Sequence, residues 1–165
     1  MIRGIHHIAV HVHDMDKMIR FYKEAFGFEV VGEPFSWENN EFIDRIVSVK
    51  NSAARGAMLK AGTCYMEMFE YQKPAANNTK GLDPYDKGYT HFCVDAIGIE
   101  EELVRLKGLG MTFPEDGPIV MDHVKTLYGR DPEGNLIEIQ ETIDANCDFP
   151  LDNLPPVGKK SVISE

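Results

Sequence analysis

One order of elements is written twice in this chain, on either side of a polar segment. In the first copy, residues 5–12 (IHHIAVHV) alternate. Ile8, Val10 and Val12 fall on one face and His7, Ala9 and His11 on the other, as in a half-buried strand. Asp14 can cap a helix in which Met15, Met18, Ile19, Tyr22 and Phe26 recur at helical spacing until Gly27 ends it. Strands are expected at 28–32, 57–60 and 63–71. The irregular stretch 33–51 suggests a short helical turn around Ile43, Ile46 and Val47, or a strand through IVSV. In the second copy, residues 89–95 (YTHFCVD) alternate again, and residues 99–109 read as a helix closed by Gly110. Strands are expected at 111–113, 125–129 and 136–141, the last entered through the turn residues DPEGN.

The segment between the copies, QKPAANNTKGLDPYDK at 72–87, has linker composition. A unit present only twice argues for paired modules, not a repeat array. The expected class is therefore α+β, with β-α-β-β-β modules at 4–71 and 88–142 forming an open sheet cradle. The tail at 143–165, with Pro150, Pro155 and Pro156, lacks periodicity and reads as disordered or as an extended arm.

Charge narrows the partners. Lysine and arginine total 17 against 27 acidic residues, a formal net charge of -10 over 165 residues. Such a surface repels phosphate backbones and anionic lipid, so neither nucleic acid nor membrane is an expected partner. No apolar run reaches the roughly 20 residues of a membrane span, and MIRGIHHIAV lacks the pattern of a secretion signal. Cys64, Cys93 and Cys147 are odd in number and lack finger spacing, which suits free thiols and a cytoplasmic location.

The duplication also aligns chemistry. His7 and His91 sit in the first strands of the two copies; Glu67 (YMEMFEY) and Glu138 (LIEIQE) sit in the last. Both acids have apolar neighbours, Met66 and Met68 for one and Ile137 and Ile139 for the other, so alternation turns both carboxylates away from the helix-packed face. An acid central in an apolar strand is costly unless paired, protonated or bound to metal. Two imidazoles and two carboxylates on one concave surface suit a divalent first-row metal or Mg²⁺. Singly, each of these residues is more often an ordinary surface or core group; their recurrence at matching places carries the reading. His6 lies on the other face and reads as structural. His11 is a possible second-site or substrate contact, and His13 lies beside the helix cap. Tyr65, Phe69 and Tyr71 share the parity of Glu67 and are candidates to line the cradle. Trp37, with Phe35, Phe42 and Ile43, could form an apolar wall or a subunit interface.

HHIAVHVHDMDKMIRFYKEAFGF, CYMEMFEY, YTHFCVDA and YGRDPEGNLIEIQE together resemble the vicinal oxygen chelate superfamily, which includes glyoxalase I, methylmalonyl-CoA epimerase, extradiol dioxygenases and fosfomycin or bleomycin resistance proteins. The resemblance spans residues 4–142. It implies a metal bound by His7, Glu67, His91 and Glu138, which could be Zn, Ni, Co, Mn, Fe or Mg. It further implies a small-molecule substrate held through adjacent oxygens, and a homodimer. The activity it implies is that of a lyase or isomerase that removes a proton next to a metal-polarised carbonyl. Glu138 is then the favoured base and Glu67 the other candidate.

Some features keep alternatives open. Epimerases of this type carry a further base near the position of Asn51, where an amide could only orient substrate. A ring-cleaving Fe(II) dioxygenase is one alternative, with Tyr128 and His123 as acid–base groups. A metal-free binding or resistance protein is another.

Overall fold

In the computed structural model, which describes residues 2, 4–144 and 147–154, the duplication becomes two four-stranded sheets. In the first module the elements are β1 (His7–His11), α1 (Met15–Phe26), β2 (Glu29–Glu38), α2 (Glu41–Val47), β3 (Ala53–Ala61) and β4 (Cys64–Lys73). In the second they are β5 (His91–Asp95), α3 (Ile99–Gly108), β6 (Ile119–Met121), β7 (Val124–Arg130) and β8 (Leu136–Thr142), with a short 3-10 turn at Leu151–Asn153. The strand orders are β1-β4-β3-β2 and β5-β8-β7-β6. Each opening strand runs parallel to the last strand of its own module, and the remaining pairings are antiparallel. This is the α+β arrangement of paired β-α-β-β-β units expected above.

Helices α1 and α3 are started by equivalent acids, Glu70 and Glu141. Asp14 accepts the Lys17 N–H, and the Glu70 carboxylate takes the Met15 N–H at 2.8 Å. At α3, which begins after a glycine with no capping side chain, Glu141 takes the N–H groups of Gly98 and Ile99. A carboxylate there satisfies donors that the first turn leaves unpaired and complements the positive end of the helix. Both acids lie three residues beyond the glutamates singled out above, on the opposite face of the strand. Gly27, with φ 67°, closes α1 in the left-handed conformation that glycine adopts without strain.

The helix-facing sides of both sheets share one core. Met15, Met18, Phe21, Tyr22 and Ala25 of α1 join Leu59, Met66 and Met68 of the first sheet; Ile99, Leu103 and Leu106 of α3 join Leu127, Ile137 and Ile139 of the second, in one continuous cluster. Polar contacts bolt the modules together. Tyr22 Oη donates to Asp131, Arg105 donates to the carbonyls of Glu24 and Ala25, and Glu133 accepts the N–H groups of His13 and Asp14. Arg130 clasps the inter-module segment through the Leu82 carbonyl and Asp83.

Local departures from the sequence pattern have physical causes. β2 runs on to Glu38 past a register shift between Val31 and Phe35, and the short helix is α2. The strand expected at 111–113 reduces to one bridge, Thr112 with Arg130, and the outer strand forms at β6 instead. Pro114 and Pro118 interrupt that stretch, and proline cannot donate to a ladder. Of the tail, residues 145–146 and 155–165, including Pro155 and Pro156, lie outside the described residues. Among the described residues no helix is long and apolar enough to cross a membrane.

Candidate metal centre

In each module the first and last strands bring one histidine to one glutamate. In the parallel register His7 lies opposite Tyr65 and His91 opposite Leu136, so Glu67 and Glu138 each stand two residues further along the partner strand. The result is the same twice over. His7 Nε2 is 3.3 Å from Glu67 Oε2, and His91 Nε2 is 3.4 Å from Glu138 Oε2.

That spacing suits a shared ion. Two donors each about 2.1 Å from one metal, at a tetrahedral angle, stand about 3.4 Å apart. In both pairs the other ring nitrogen is occupied, as a ligating imidazole requires. His7 Nδ1 lies 2.9 Å from His6 Nδ1, and His91 Nδ1 lies 3.0 Å from Thr90 Oγ1. His6, read from the sequence as structural, thus supports the His7 ring and also stacks at a tilt on Tyr65. Thr90 was missed, although both residues immediately precede the histidine of their copy.

The four candidate ligands do not meet within one chain. Among the described residues, no group of three or more His, Cys, Asp or Glu side chains is placed to hold a metal. Alternation explains why. Met66, Met68, Ile137 and Ile139 face the shared core, so the odd face of β4 and the even face of β8, with their His–Glu pairs, turn away from it. Nor are the acids sealed in. The side chains of Glu67 and Glu138 are 21% and 18% exposed, so the cradle is open rather than a buried pocket.

The two pairs differ in their neighbours. Thr126 Oγ1 lies 2.7 Å from Glu138 Oε1, and Tyr128 Oη lies 3.3 Å from His91 Nε2. Cys93 stands directly across from Glu138 in the ladder; burial, and then the Glu138 charge, push its thiol up to about 12. Burial and the same charge also raise Tyr128. In the first module the corresponding positions hold Ala9, Gly56 and Met58, which offer no hydroxyl or thiol.

The aromatic candidates gather beside the first pair. Phe69 and Tyr71 share the face of Glu67. Trp37 meets both edge-on at 5.9 and 5.7 Å, and Phe35 meets Phe69 at 6.2 Å across the space left open by Gly56. Trp37 Nε1 donates to Ser52. Tyr65 remains exposed on the same face, while Phe42 and Ile46 of α2 are exposed away from this cluster. Asn51 has a positive φ, and its backbone N–H is held by Asp44; none of its contacts reaches either His–Glu pair. His11 accepts the Tyr71 N–H and lies near His13, and burial followed by the His13 charge lowers its pKa. His123 packs on Phe149 at 4.8 Å, so of the two acid–base candidates only Tyr128 stands beside a His–Glu pair.

Comparison with known proteins finds matches at the level of family and fold. A family model described as Glyoxalase/Bleomycin resistance protein/Dioxygenase superfamily matches residues 4–139. A 2-epi-5-epi-valiolone epimerase from Actinomyces is 27% identical over 146 residues, covering 82% of this chain and 78% of the relative. A lactoylglutathione lyase from Schizosaccharomyces pombe is 25% identical over 148 residues; these are 82% of this chain but only 46% of the lyase. Among solved structures, a glyoxalase family protein from Bacillus cereus superposes with a TM-score of 0.75 at 20% identity, covering 87% of this chain and 96% of that one. A genomically encoded fosfomycin resistance protein from Listeria monocytogenes, complexed with Mn(II) and 1S,2S-dihydroxypropylphosphonic acid, superposes with a TM-score of 0.55 at 19% identity, covering 86% and 94%.

Proposed function

The chain belongs to the Glyoxalase/Bleomycin resistance protein/Dioxygenase superfamily, and from that premise we propose that it is a divalent-metal-dependent lyase or isomerase of the glyoxalase type. The observation that carries this reading is the duplicated pair, His7 with Glu67 and His91 with Glu138, each at ligand-to-ligand spacing. The epimerase and lyase names of the two relatives support it at the level of reaction class.

His7, Glu67, His91 and Glu138 would hold the ion, which supplies Lewis-acid polarisation of a substrate carbonyl. A glutamate then accepts the proton from the neighbouring carbon, and the charge moves onto the carbonyl oxygen. Glu138 and Glu67 are the two candidates for that base. Phe35, Trp37, Phe69 and Tyr71 give the face beside Glu67 an apolar wall, which favours a substrate with a hydrophobic part next to its adjacent oxygens and keeps bulk water from the reacting carbon. Tyr65 and Tyr128 flank the two histidines and are the hydroxyls proposed to contact the substrate oxygens. Asn51, which lies apart from both pairs in the chain, is the proposed substrate-orienting amide where a second copy brings it near.

Because the two ligand faces turn away from the core of their own chain, the set of four is completed by a second copy, and the active unit is a homodimer. The test is elemental analysis of purified protein beside the His91→Ala variant. Near-stoichiometric divalent metal that is lost in the variant supports the proposal; full retention overturns it. Incubation with the methylglyoxal–glutathione hemithioacetal, acyl-CoA and catechol panels, with and without chelator, then reads the reaction. Turnover that survives complete chelation overturns the metal-dependent mechanism.

A further inference from the structure

The two modules build the same ladder, and only the first lines it with aromatic rings. When the strands are matched at Glu67 and Glu138, Phe69 and Tyr71 correspond to Gln140 and Thr142. Phe35 and Trp37, which pair with Gly56 and Ala54, correspond to Ile119 and Met121. The fold therefore does not require the rings. Nor does it require α2, since the second module joins its matching strands, β6 and β7, through Asp122 and His123 alone.

We propose that Trp37 is a specificity-determining residue that takes a flat, conjugated ring of the substrate against its indole, and that Asp44 of α2, acting through Ser52, is the positioning residue that holds the indole for it. This rests on the reading of the Glu67 face as the substrate face, and it names the second part of the substrate as an aromatic group beside the adjacent oxygens.

The indole is fixed by a directed chain of hydrogen bonds. The Ser52 hydroxyl has one proton, and it goes to Asp44 Oδ1. A lone pair is left to accept Trp37 Nε1–H at 2.7 Å. Ser52 is 1% exposed, so water offers its hydroxyl no alternative partner. Asp44 also accepts the N–H groups of Asn51 at 2.7 Å and Ser52 at 2.9 Å. Its carboxyl is held below its ordinary value, first by the Ser52 hydroxyl, so an ionised acceptor sets the direction of the chain at neutral pH. α2 buries none of its own side chains, which leaves this fastening as its visible contribution to the module.

The fixed indole forms a corner open to a ligand. Trp37 is half-buried, and its plane lies within 14° of the Phe35 ring, with centroids 6.3 Å apart. Phe69 stands nearly at right angles to both, at 87° and 79°. A flat ring entering the corner meets two nearly parallel faces and one edge, the geometries that aromatic pairs favour. The corner also reaches the ligand pair. Tyr71, edge-on to Trp37, has its phenol raised by burial and then by the Glu67 charge.

Trp37 is the single tryptophan of the chain, so its emission reports on the corner directly. The experiment titrates the full-length protein, loaded with Zn(II), with lactate, hexahydromandelate and mandelate. All three offer the same adjacent oxygens; the second adds a saturated ring and the third a flat one. Calorimetry should give mandelate about 2- to 10-fold tighter binding than hexahydromandelate, the range for an aromatic pair beyond its buried area. Mandelate should shift the Trp37 emission, and lactate should leave it unchanged. Trp37→Leu should bring the preference close to one while keeping the affinity for hexahydromandelate. Ser52→Ala should lower the preference in the wild type and have no further effect in a Trp37→Phe background. Equal affinity for the two ring acids, or no binding of mandelate, overturns the stacking role. An equal effect of Ser52→Ala in both backgrounds overturns the positioning role. Should Trp37→Leu fail to melt cooperatively, the wild-type preference and the Ser52→Ala cycle decide. Lactate separates the layers, because it reads the oxygen chelate alone. If it binds equally well after chelator treatment or in His91→Ala, the metal-centre reading falls, while the mandelate preference still decides for or against Trp37.

Discussion

Tyr22 Oη donates a 2.8 Å hydrogen bond to Asp131 Oδ2, and both residues are buried at the joint between the modules. Tyr22 belongs to α1 of the first module, while Asp131 opens the turn before β8 of the second. Asp131 also accepts the N–H groups of Glu133 and Asn135 and the Asn135 side-chain amide. Burial, and then the Asp131 charge, raise the Tyr22 phenol well above its ordinary value, so it stays a donor. The contact therefore sets how the two halves sit, and with them the two ligand faces.

Tyr22→Phe keeps the ring and removes only that donor. The expected cost is about 1–3 kcal/mol, the range for a hydrogen bond to a buried charged group. Urea unfolding should show a lower midpoint with an unchanged slope. An unchanged midpoint would mean that this hydrogen bond adds nothing to the joint.

Acid should weaken the start of α1. Glu70 is held below its ordinary value near 4.5, first by its hydrogen bond from Arg55 and also by the Met15 N–H. A carboxyl depressed in the folded state contributes stability that is fully present above that ordinary value and is lost as pH falls through the folded value. Thermal melts of the wild type should therefore decline below about pH 4.5. Glu70→Gln should be less stable at neutral pH and show a flatter decline in that window. Parallel curves for the two proteins would refute the assignment.

Gly129→Ala should destabilise the second sheet. A Cβ there would meet Cδ1 of Phe113 at 2.7 Å and the Met111 methyl at 3.0 Å. Displacing a packed ring costs about 1–3 kcal/mol. Calorimetry is the measurement, and wild-type melting would show that the ring relaxes freely.

Mixing tests where the metal centre assembles. One variant, His7→Ala with Glu67→Gln, lacks the first pair; another, His91→Ala with Glu138→Gln, lacks the second. Neither should bind metal tightly alone. If the set of four spans two copies, refolding the two together restores intact sites in the mixed dimer, because one copy's first pair meets the other's second. Metal content and turnover are the readouts. No restoration would place all four ligands in one chain.

The strand–helix–strands order, the polar segment between its copies and the matching of His7 with His91 and Glu67 with Glu138 were legible in the sequence. These depend on period-two and helical alternation, which each stretch carries within itself. The repeated E-x-x-E of EMFE and EIQE was legible as letters, yet its second acid, Glu70 or Glu141, revealed its role as a helix cap only in the fold. Other elements were not legible. Pro114 and Pro118 break residues 111–121 locally, but that the outer strand then forms at Ile119–Met121 depends on its pairing with distant residues of β7.

Tertiary structure decided the rest. The sequence by itself determined which faces carry imidazole and carboxylate, since alternation is written along each strand. It did not determine that, among the described residues, no three of these side chains gather in one chain, or that Thr126 touches Glu138 where the first module has Gly56. Those facts follow from ladder register and from how the shared core orients the modules. Both are contacts between residues far apart in the chain, which no local pattern encodes.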